Sequence, residues 1–443
     1  MAAWIAFLRG IKEGTIDPQL IHPSRRRFLQ ALLVAGGVCK VSLRAEGTVP
    51  AVRAITRGPR FHWFGYYDKQ QFDPTSRYVL GMAVDFEHRS PRPDDVIRVG
   101  MVDLHDGDRW IELGESRAWG WQQGCMLQWR PGSASEVLWN DREGARFVCR
   151  VLDVRSGKQR TLPRAVYALD PGGRWAVGTE FARIQDLRPG YGYAGIDDPS
   201  ADVRAPAGSG IYRIDLETGE HRQIVSLGGI LRIPHGDERL DESWHWFNHL
   251  LVNTDGSRFT FLHRWRKELG ERAQRAGGGF VTRMLTADPD GANVYVIDPS
   301  GHTSHFIWRD PQHILAWTRV AGKDGFYLLE DGTRNVQAIG EGVMTRNGHQ
   351  TYVPRTNNEW ILNDTYPDRA DRKQTLYLYH VPTNRRIDLG RFHSPPQYAG
   401  EWRCDLHPRS SPDGRLVVID SPHGSNGRQM YLIDVGTIVD API

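Results

Sequence analysis

A group of histidines in the C-terminal half is the part of this sequence best suited to chemistry. Its members are His249, His263, His302, His305, His349, His393, His407 and His423. Four of them, His249, His305, His349 and His407, stand just before or at the start of a run typical of a β-strand. A neutral imidazole can accept a proton or bind a divalent metal near neutral pH. These four positions are the first candidates for a catalytic or metal-binding site.

One subset of these residues has the composition of a metal site. Asp405 and His407 alternate along an extended segment, so their side chains point to the same face. With His349 from the preceding repeat they supply two imidazoles and a carboxylate, an ordinary ligand set for manganese, iron, nickel or zinc. The same histidines could instead cap strands and hydrogen-bond the backbone of a polar channel. The sequence leaves both interpretations open.

Two repeated phrases indicate which elements would position these residues. In the first, an apolar run ends in Asp and a turn follows, as in residues 212–219. In the second, a turn leads into a strand, as in residues 73–78, 170–175, 253–258 and 411–415. Repeats spaced by about 40 to 80 residues are typical of β-propellers, whose blades are small antiparallel sheets arranged in a ring.

We therefore expect an all-β fold with a single β-propeller, and seven blades fit the repeats best, although six or eight remain compatible with them. The predicted blades cover residues 60–105, 118–160, 164–224, 244–300, 302–340, 347–390 and 401–436. Innermost strands line the channel of a propeller, so equivalent residues of successive blades converge on its axis. Two insertions, a long loop at 186–209 and a short helix at 267–279, are expected to overhang one end of the channel.

Composition agrees with this architecture and argues against nucleic-acid binding. The 443 residues include 47 Gly, 26 Pro and 15 Trp, which suit many short strands joined by tight turns. The formal net charge is only +3, and no Lys/Arg run follows the N-terminal region. A nucleic-acid partner is therefore not expected.

The N-terminal region has the features of an export signal. Residues 24–30, Ser-Arg-Arg-Arg-Phe-Leu-Gln, form a twin-arginine motif, and a short apolar run follows at 31–38. That run is too short for a stable transmembrane anchor. We expect residues 1–45 to be a twin-arginine signal and residues 46–443 to form the propeller. The export machinery would then be a partner, and the protein would be periplasmic or secreted from a bacterium.

Cysteines add one structural question. Cys125 and Cys149 fall on predicted neighbouring strands of one blade, so a disulfide could form in an oxidising compartment. Two buried free thiols are the equally weighted alternative. No pair of cysteines has the spacing of a zinc site.

Several motifs, taken in blade order, resemble the oligogalacturonate lyases. They are residues 247–250, 261–264, 296–298, 347–349, 404–408 and 411–414. The resemblance implies a seven-bladed propeller that binds manganese or another divalent metal on its axis, with His349 and His407 as ligands. Asp405 stands where that family has a histidine and Trp402 where it has a glutamine, which leaves the metal's identity open. Phrases such as residues 64–69 and 120–126 look like a separate exported branch of such propellers.

The resemblance also implies a reaction, β-elimination on a uronate-containing oligosaccharide. Removing a proton next to a carboxylate requires that its charge be neutralised, by a cation or an arginine, and that a base stand close. His249 matches the family's proposed base. Arg188 and Tyr67 are candidates for gripping a second carboxylate and protonating the leaving oxygen. The candidates for binding an acidic carbohydrate are His263, Arg183, Arg403 and Gln123.

Two other function classes fit the same sequence. A propeller can act as a non-catalytic binding platform for carbohydrate or protein, because fold does not determine function. A glycoside hydrolase would need paired carboxylates, and Asp68, Asp141, Asp364 and Asp405 lie near comparable blade openings. A serine hydrolase is disfavoured because the sequence has no Gly-x-Ser-x-Gly elbow.

Overall fold

Seven antiparallel sheets of four strands each make up the propeller. The structure is a computed structural model, and it describes residues 49–267 and 279–441. The prediction of an all-β, seven-bladed propeller is confirmed. The segment assigned to the twin-arginine signal lies outside the described residues.

Strand bounds follow the predicted blades closely. The first strand of the described residues is β1 at Val52–Ala54, and blade 1 contains β2 Phe61–Trp63, β3 Tyr78–Val84, β4 Ile97–Asp103 and β5 Arg109–Ser116. Blade 2 contains β6 Gln128–Trp129, β7 Glu136–Glu143, β8 Arg146–Asp153 and β9 Gln159–Leu162, and blade 3 contains β10 Ala168–Leu169, β11 Trp175–Gly178, β12 Gly210–Asp215 and β13 His221–Ser226. Blade 4 contains β14 Trp244–Val252, β15 Phe259–Arg266, β16 Val281–Ala287 and β17 Tyr295–Gly301, and blade 5 contains β18 Phe306–Trp308, β19 His313–Val320, β20 Lys323–Glu330 and β21 Val336–Ile339. Blade 6 contains β22 Thr351–Tyr352, β23 Trp360–Asn363, β24 Lys373–His380 and β25 Arg385–His393, and blade 7 contains β26 Arg409–Ser410, β27 Leu416–Ser421 and β28 Gln429–Asp434.

The ring is closed by β1, the first strand that the structure describes. β1 pairs antiparallel with β28, with Val52 opposite Ile433 and Ala54 opposite Tyr431, and so becomes the outermost strand of blade 7. The sequence-based blades left this strand out. This pairing joins an N-terminal strand to the C-terminal blade and so closes the ring.

The repeated aspartates of the sequence fix the turns between strands. The Asp73 carboxylate accepts hydrogen bonds from the backbone N–H groups of Thr75, Arg77 and Tyr78 at 2.7–3.1 Å. Asp215 does the same for Glu217 and Thr218 at 2.8–2.9 Å. An aspartate that satisfies several backbone donors at once stabilises a tight turn, which explains why the phrase recurs.

Tryptophans fill the space between blades 1 and 2. Trp63, Trp119 and Trp121 are buried, with ring centroids 5.1–5.7 Å apart in tilted and edge-on contacts. Such contacts bury large apolar surfaces between neighbouring sheets. They hold the blades rigidly around the channel.

Helices in the described part of the chain are few and short. They are α1 Phe181–Leu187, α2 Leu227–Ile230 and α3 Gly436–Val439, with 3₁₀ turns at Leu240–Glu242 and Gly400–Trp402. No helix among the described residues is long and apolar enough to cross a membrane.

The larger insertion lies between β11 and β12 of blade 3. It consists of α1 and then an irregular loop up to residue 209, in agreement with the loop predicted at 186–209. The short helix predicted at 267–279 falls on residues 268–278, which lie outside the described part of the chain.

Cysteines in the described ranges are all reduced and buried. Cys125, Cys149 and Cys404 are free thiols, so the alternative without a disulfide is the one found. The Cys125 sulfur contacts the sulfur of Met82 at 3.6 Å. Burial raises the pKa of Cys149 to about 12, which keeps its thiol protonated and unreactive at neutral pH.

Candidate active site

The three predicted metal ligands come together on successive blades. His349 lies just before β22 of blade 6, and Asp405 and His407 lie just before β26 of blade 7. All three are buried, and one ligand atom from each lies within 4.8 Å of the others. Residues 56 positions apart in sequence thus meet because they occupy comparable positions at the start of adjacent blades.

Each member of this metal triad, His349, Asp405 and His407, has a polar atom without a partner. His349 Nε2, His407 Nε2 and Asp405 Oδ1 are buried and accept no hydrogen bond from the protein. A buried polar atom left unsatisfied costs free energy, so three in one place require an explanation. Two imidazole nitrogens and a carboxylate oxygen are a suitable donor set for a divalent cation, and the residues present therefore fit one.

Asp364, at the end of β23, orients both histidines. Its carboxylate accepts hydrogen bonds from His349 Nδ1 at 2.9 and 3.0 Å, and from the backbone N–H of His349 at 2.7 Å and of His407 at 3.2 Å. A carboxylate on Nδ1 places the proton there and leaves the lone pair on Nε2, the usual arrangement behind a metal-binding histidine. The backbone of His407 is left-handed, with φ of 42°, a conformation rare for residues other than glycine.

His407 is held neutral, which is the state that binding a metal would require. Burial lowers its pKa well below the ordinary value, and the nearby His349, Arg409 and Arg403 lower it further. The neutral ring keeps its Nε2 lone pair available.

Arg403 links the metal triad to the large insertion. Its Nε donates to Asp405 Oδ2 at 2.7 Å, and its Nη2 donates to the hydroxyl of Tyr191 at 2.7 Å. Burial alone would raise the pKa of Tyr191, but the guanidinium groups of Arg403 and Arg188 bring it below the ordinary value. The Tyr191 hydroxyl is therefore a stronger proton donor than that of an ordinary tyrosine.

A cavity of 320 Å³ adjoins the metal triad. Its lining includes Arg188, Tyr191, His249, Arg264, His305 and Tyr366. The ring of His305 lies 4.1 Å from that of His349, and the ring of Tyr366 lies 5.5 Å from it, measured between centroids. The cavity and the metal triad thus share one wall.

His249 projects into this cavity from a β-bulge. The pairing register of β14 with β15 shifts between Asn248 and Leu251, and His249 is left-handed, with φ of 52°. Bulges next to active sites commonly redirect a side chain. Burial, followed by Arg264, lowers the pKa of His249 well below its ordinary value, so the imidazole is neutral and can accept a proton.

Tyr167 and Gln123 hold the backbone of His249 through a chain of hydrogen bonds. The backbone N–H of His249 donates to the Tyr167 hydroxyl at 2.9 Å, and that hydroxyl donates to Gln123 Oε1 at 2.7 Å. The hydroxyl of Tyr66 lies 3.4 Å from His249 Nε2. Gln123, predicted to bind substrate, is thus placed to hold His249 in position through Tyr167.

Three further predicted site residues make other contacts. The Tyr67 hydroxyl donates to the carbonyl of Phe306 at 2.9 Å and accepts from its N–H at 3.0 Å. The Nε2 of His263 lies 2.8 Å from His245 Nδ1, and the Nδ1 of His263 accepts a hydrogen bond from Arg283 Nε at 3.0 Å. Both polar functions of Tyr67 and both ring nitrogens of His263 are therefore engaged within the protein.

Arg183 lies in α1 and holds the insertion in place. It forms a buried ion pair with Asp198 at 2.8 Å and donates to the carbonyls of His245, Ser200, Val203 and Arg204. Of the predicted site residues, His249 and Arg188 line the cavity, and the metal triad with its partner Arg403 lies beside it. It places Tyr67, His263 and Arg183 in supporting contacts outside the cavity lining.

Carboxylates are not part of the cavity wall. No Asp or Glu among the described residues lines it. Of the four aspartates considered for a hydrolase, Asp68 pairs with Lys69 at 2.8 Å, Asp141 pairs with Arg150 at 3.0 Å, and Asp364 and Asp405 serve the metal triad. This geometry does not favour hydrolysis by paired carboxylates.

Sequence reasoning missed the roles of Asp364, Arg264 and Tyr191. Arg264 directly follows His263 on β15, and alternation along a strand sends the two side chains to opposite faces. That alternation identifies two candidate faces, but only the structure shows that the face with Arg264 borders the cavity. Asp364 lies near the opening of a predicted blade, and that position alone could have indicated that its side chain is close to the channel.

Comparison with known proteins supports the fold. No family model and no curated protein matches the sequence. An oligogalacturonate lyase from Vibrio parahaemolyticus is similar in structure, with a TM-score of 0.60, 13% identity, and coverage of 88% of this chain and 95% of the other. An oligogalacturonate lyase in complex with manganese has a TM-score of 0.62, 14% identity, and coverage of 89% and 96%. At this identity the likeness establishes a shared propeller fold, which confirms the distant resemblance to these lyases.

Proposed function

We propose that this protein is an exported lyase that cleaves uronate-containing oligosaccharides by metal-assisted β-elimination. The observation that carries the proposal is the set of three buried, unpartnered ligand atoms beside a cavity lined by arginines and a neutral histidine. The similar lyase with manganese supports the choice of metal, and the twin-arginine motif at residues 24–30 supports a periplasmic or secreted location.

In this proposal His349, Asp405 and His407 hold a divalent cation, manganese being favoured. When bound, the cation supplies a Lewis acid that neutralises a substrate carboxylate and so acidifies the adjacent carbon. Asp364 keeps the imidazole of His349 in the ligand tautomer. The guanidinium of Arg403 partly neutralises the Asp405 carboxylate through a 2.7 Å hydrogen bond to its Oδ2.

His249 is the proposed base. It takes the proton from the carbon next to the carboxylate, the C–H electrons form a new C=C bond, and the bond to the leaving oxygen breaks. Its depressed pKa keeps it unprotonated, and Arg264 and Arg188 nearby disfavour its protonation before substrate binds. The lowered pKa also makes the His249 imidazole a weaker base, so the C–H proton of the substrate must be made more acidic before it can be removed.

Tyr191 is better placed than Tyr67 to protonate the leaving oxygen. It lines the cavity, and its ring lies 5.6 Å from that of His249. Tyr67, by contrast, uses its hydroxyl for both backbone groups of Phe306. Transfer of the Tyr191 proton to the oxygen completes the elimination, and its phenolate is stabilised by Arg403 and Arg188.

Elemental analysis of the purified mature protein tests this proposal. We expect near-stoichiometric divalent metal in the parent and its loss from His349→Ala and His407→Ala, while His313→Ala, outside the site, keeps it. The metal-loaded parent should convert uronate oligomers to products that absorb in the ultraviolet through the new C=C bond. Metal-free parent after purification in metal-replete medium would refute the mechanism and favour a binding propeller.

A further inference from the structure

Residues 64–70 do not follow the sheet of blade 1. Trp63, the last residue of β2, pairs with Met82, whereas the next bridge to β3 joins Phe72 to Val79. Nine positions therefore separate two residues whose partners are only three positions apart, and six residues are in excess. Residues in excess between two paired positions bulge out of their sheet. We call the segment 64–70 the axial plug.

The axial plug contacts every other blade of the ring. Its partners are Trp129 of blade 2, Tyr167 of blade 3, His249 of blade 4, Phe306 of blade 5, His349 of blade 6 and Asp420 of blade 7. A segment that contacts all the blades of a propeller lies on its axis, where the innermost strands converge. The plug is therefore next to both the metal triad and the cavity-lining His249.

Tyr66 lies between the proposed base and the metal triad. Its ring centroid is 4.9 Å from that of His249 and 5.2 Å from that of His407. Tyr66 is buried and is not part of the cavity lining. Its hydroxyl is 3.4 Å from His249 Nε2 and makes no other hydrogen bond within the described ranges. Any effect of Tyr66 on a reaction in the cavity must therefore act through the residues it contacts.

The two ring nitrogens of His249 have different surroundings. Nε2 faces the Tyr66 hydroxyl, whereas Nδ1 has no hydrogen-bond partner in the part of the chain that the structure describes. Arg264 lines the cavity with His249, and no carboxylate of the described residues forms an ion pair with it. After burial, Arg264 lowers the pKa of His249 most; Lys69 of the plug has a weaker effect and pairs with Asp68 at 2.8 Å. A neutral imidazole carries partial negative charge on its unprotonated nitrogen, so a cation in the cavity favours the lone pair on Nδ1 and the proton on Nε2.

We propose that Tyr66 is a positioning residue that fixes the tautomer of His249, so that Nδ1 is the atom that removes the substrate proton. The Tyr66 hydroxyl accepts a hydrogen bond from Nε2–H and leaves the Nδ1 lone pair for the cavity. As Nδ1 takes the proton, the C–H electrons form the C=C bond, the leaving oxygen departs with the proton of Tyr191, and the imidazolium keeps its Nε2–H on Tyr66. The catalytic use of Nδ1 rests on the proposed function, whereas the tautomer does not.

Nitrogen NMR of the mature protein, labelled with ¹⁵N-histidine, tests the tautomer without turnover. Diamagnetic Zn²⁺ replaces Mn²⁺ in the buffer, and the His249 signals are identified by their absence from His249→Gln. We expect Nε2 to be protonated and Nδ1 unprotonated in the parent at pH 7. Tyr66→Phe keeps the ring but removes the hydroxyl, and should reduce the preference for this tautomer by about 2- to 10-fold, the range for one lost hydrogen bond. A proton on Nδ1 in the parent, or an unchanged tautomer ratio in Tyr66→Phe, would overturn the proposal.

Tyr67→Phe is the matched control. Tyr67 is the neighbouring buried tyrosine of the plug, but its hydroxyl bonds both backbone groups of Phe306 and no imidazole. Its loss should lower the thermal midpoint and leave the tautomer of His249 unchanged. If Tyr67→Phe changes the tautomer as much as Tyr66→Phe does, packing of the plug sets the tautomer, and the assignment to the Tyr66 hydroxyl is wrong.

Turnover separates this inference from the lyase proposal. With Mn²⁺-loaded protein and digalacturonate, Tyr66→Phe should lower kcat by about 3- to 10-fold at unchanged KM and metal content, because fewer rings have a free Nδ1 and the imidazolium loses a hydrogen bond. An active parent whose kcat survives Tyr66→Phe would overturn the positioning role and leave the lyase proposal standing. A parent without metal or product, in which Tyr66→Phe still shifts the tautomer, would support the tautomer assignment and refute the lyase proposal.

Discussion

Asp364→Asn should weaken metal binding without removing any metal ligand. The Asp364 carboxylate accepts from His349 Nδ1 and from the backbone N–H groups of His349 and His407. An amide replaces one of its two acceptor oxygens with a donor, so at least one of these bonds is lost and the amide N–H faces another donor. Each metal-binding imidazole is then less firmly oriented, and the tautomer of His349 is less strongly selected.

The expected magnitude follows from how such supporting carboxylates act. Removing one typically lowers metal affinity by about 10- to 100-fold, which is about 1.4–2.8 kcal/mol. The dissociation constant for Mn²⁺ can be measured by competition with a chromophoric chelator. The metal-dependent rise of the thermal midpoint should shrink in parallel, because a ligand stabilises a protein according to its affinity.

Asp298→Asn is the matched control. Asp298 is also a buried aspartate, and it accepts hydrogen bonds from the N–H of Ser300 at 2.9 Å and from the hydroxyls of Thr303 and Thr318. Its substitution should cost stability but leave the affinity for Mn²⁺ unchanged. The reasoning is refuted if folded Asp364→Asn binds Mn²⁺ as tightly as the parent, or if the two variants lose affinity equally.

Two more predictions concern stability. Burial lowers the pKa of His245 to about 4 from an ordinary 6.5. The free energy of unfolding that depends on the neutral ring, about 3 kcal/mol, is therefore fully present above pH 6.5 and is lost as the pH falls towards 4. Urea unfolding at pH 7 and pH 4.5 should show a smaller loss of stability with pH in His245→Gln than in the parent, and an equal loss would contradict this. Arg183→Met leaves the carboxylate of Asp198 buried and unpaired, and should cost about 3 kcal/mol or more in the free energy of unfolding. An Arg183→Met protein of unchanged stability that fails to bind digalacturonate would instead make Arg183 a substrate-binding residue.

The metal triad was within reach of sequence reasoning because simple periodicities determine it. Asp405 and His407 share a face through the two-residue repeat of an extended segment, and His349 occupies a comparable position one blade earlier. In a ring of blades, residues at equivalent positions of neighbouring blades lie close together near the axis. The seven blades followed from the same repeats, with turns fixed by aspartates such as Asp73 and Asp215.

Other features depend on geometry that periodicity does not encode. The closing strand β1 has only three residues, Val52–Ala54, and takes its structure from β28 across the ring, so no local pattern indicates it. His249 points into the cavity because of a bulge in β14, which breaks the alternation that would otherwise predict its direction. Arg183 seemed suited to a ligand by its charge, but Asp198 and four carbonyls of the fold engage it.

Several unfavourable features of this structure lie at or beside one cavity, and they argue for ligand binding there. The unpartnered ligand atoms of the metal triad, the left-handed backbone at His249 and His407, and the uncompensated charge of Arg264 each lower stability. A channel serving only as a scaffold would gain stability by losing them. A cation at the metal triad would satisfy its three unpartnered atoms, so a costly part of the fold is a part that its proposed ligand would stabilise.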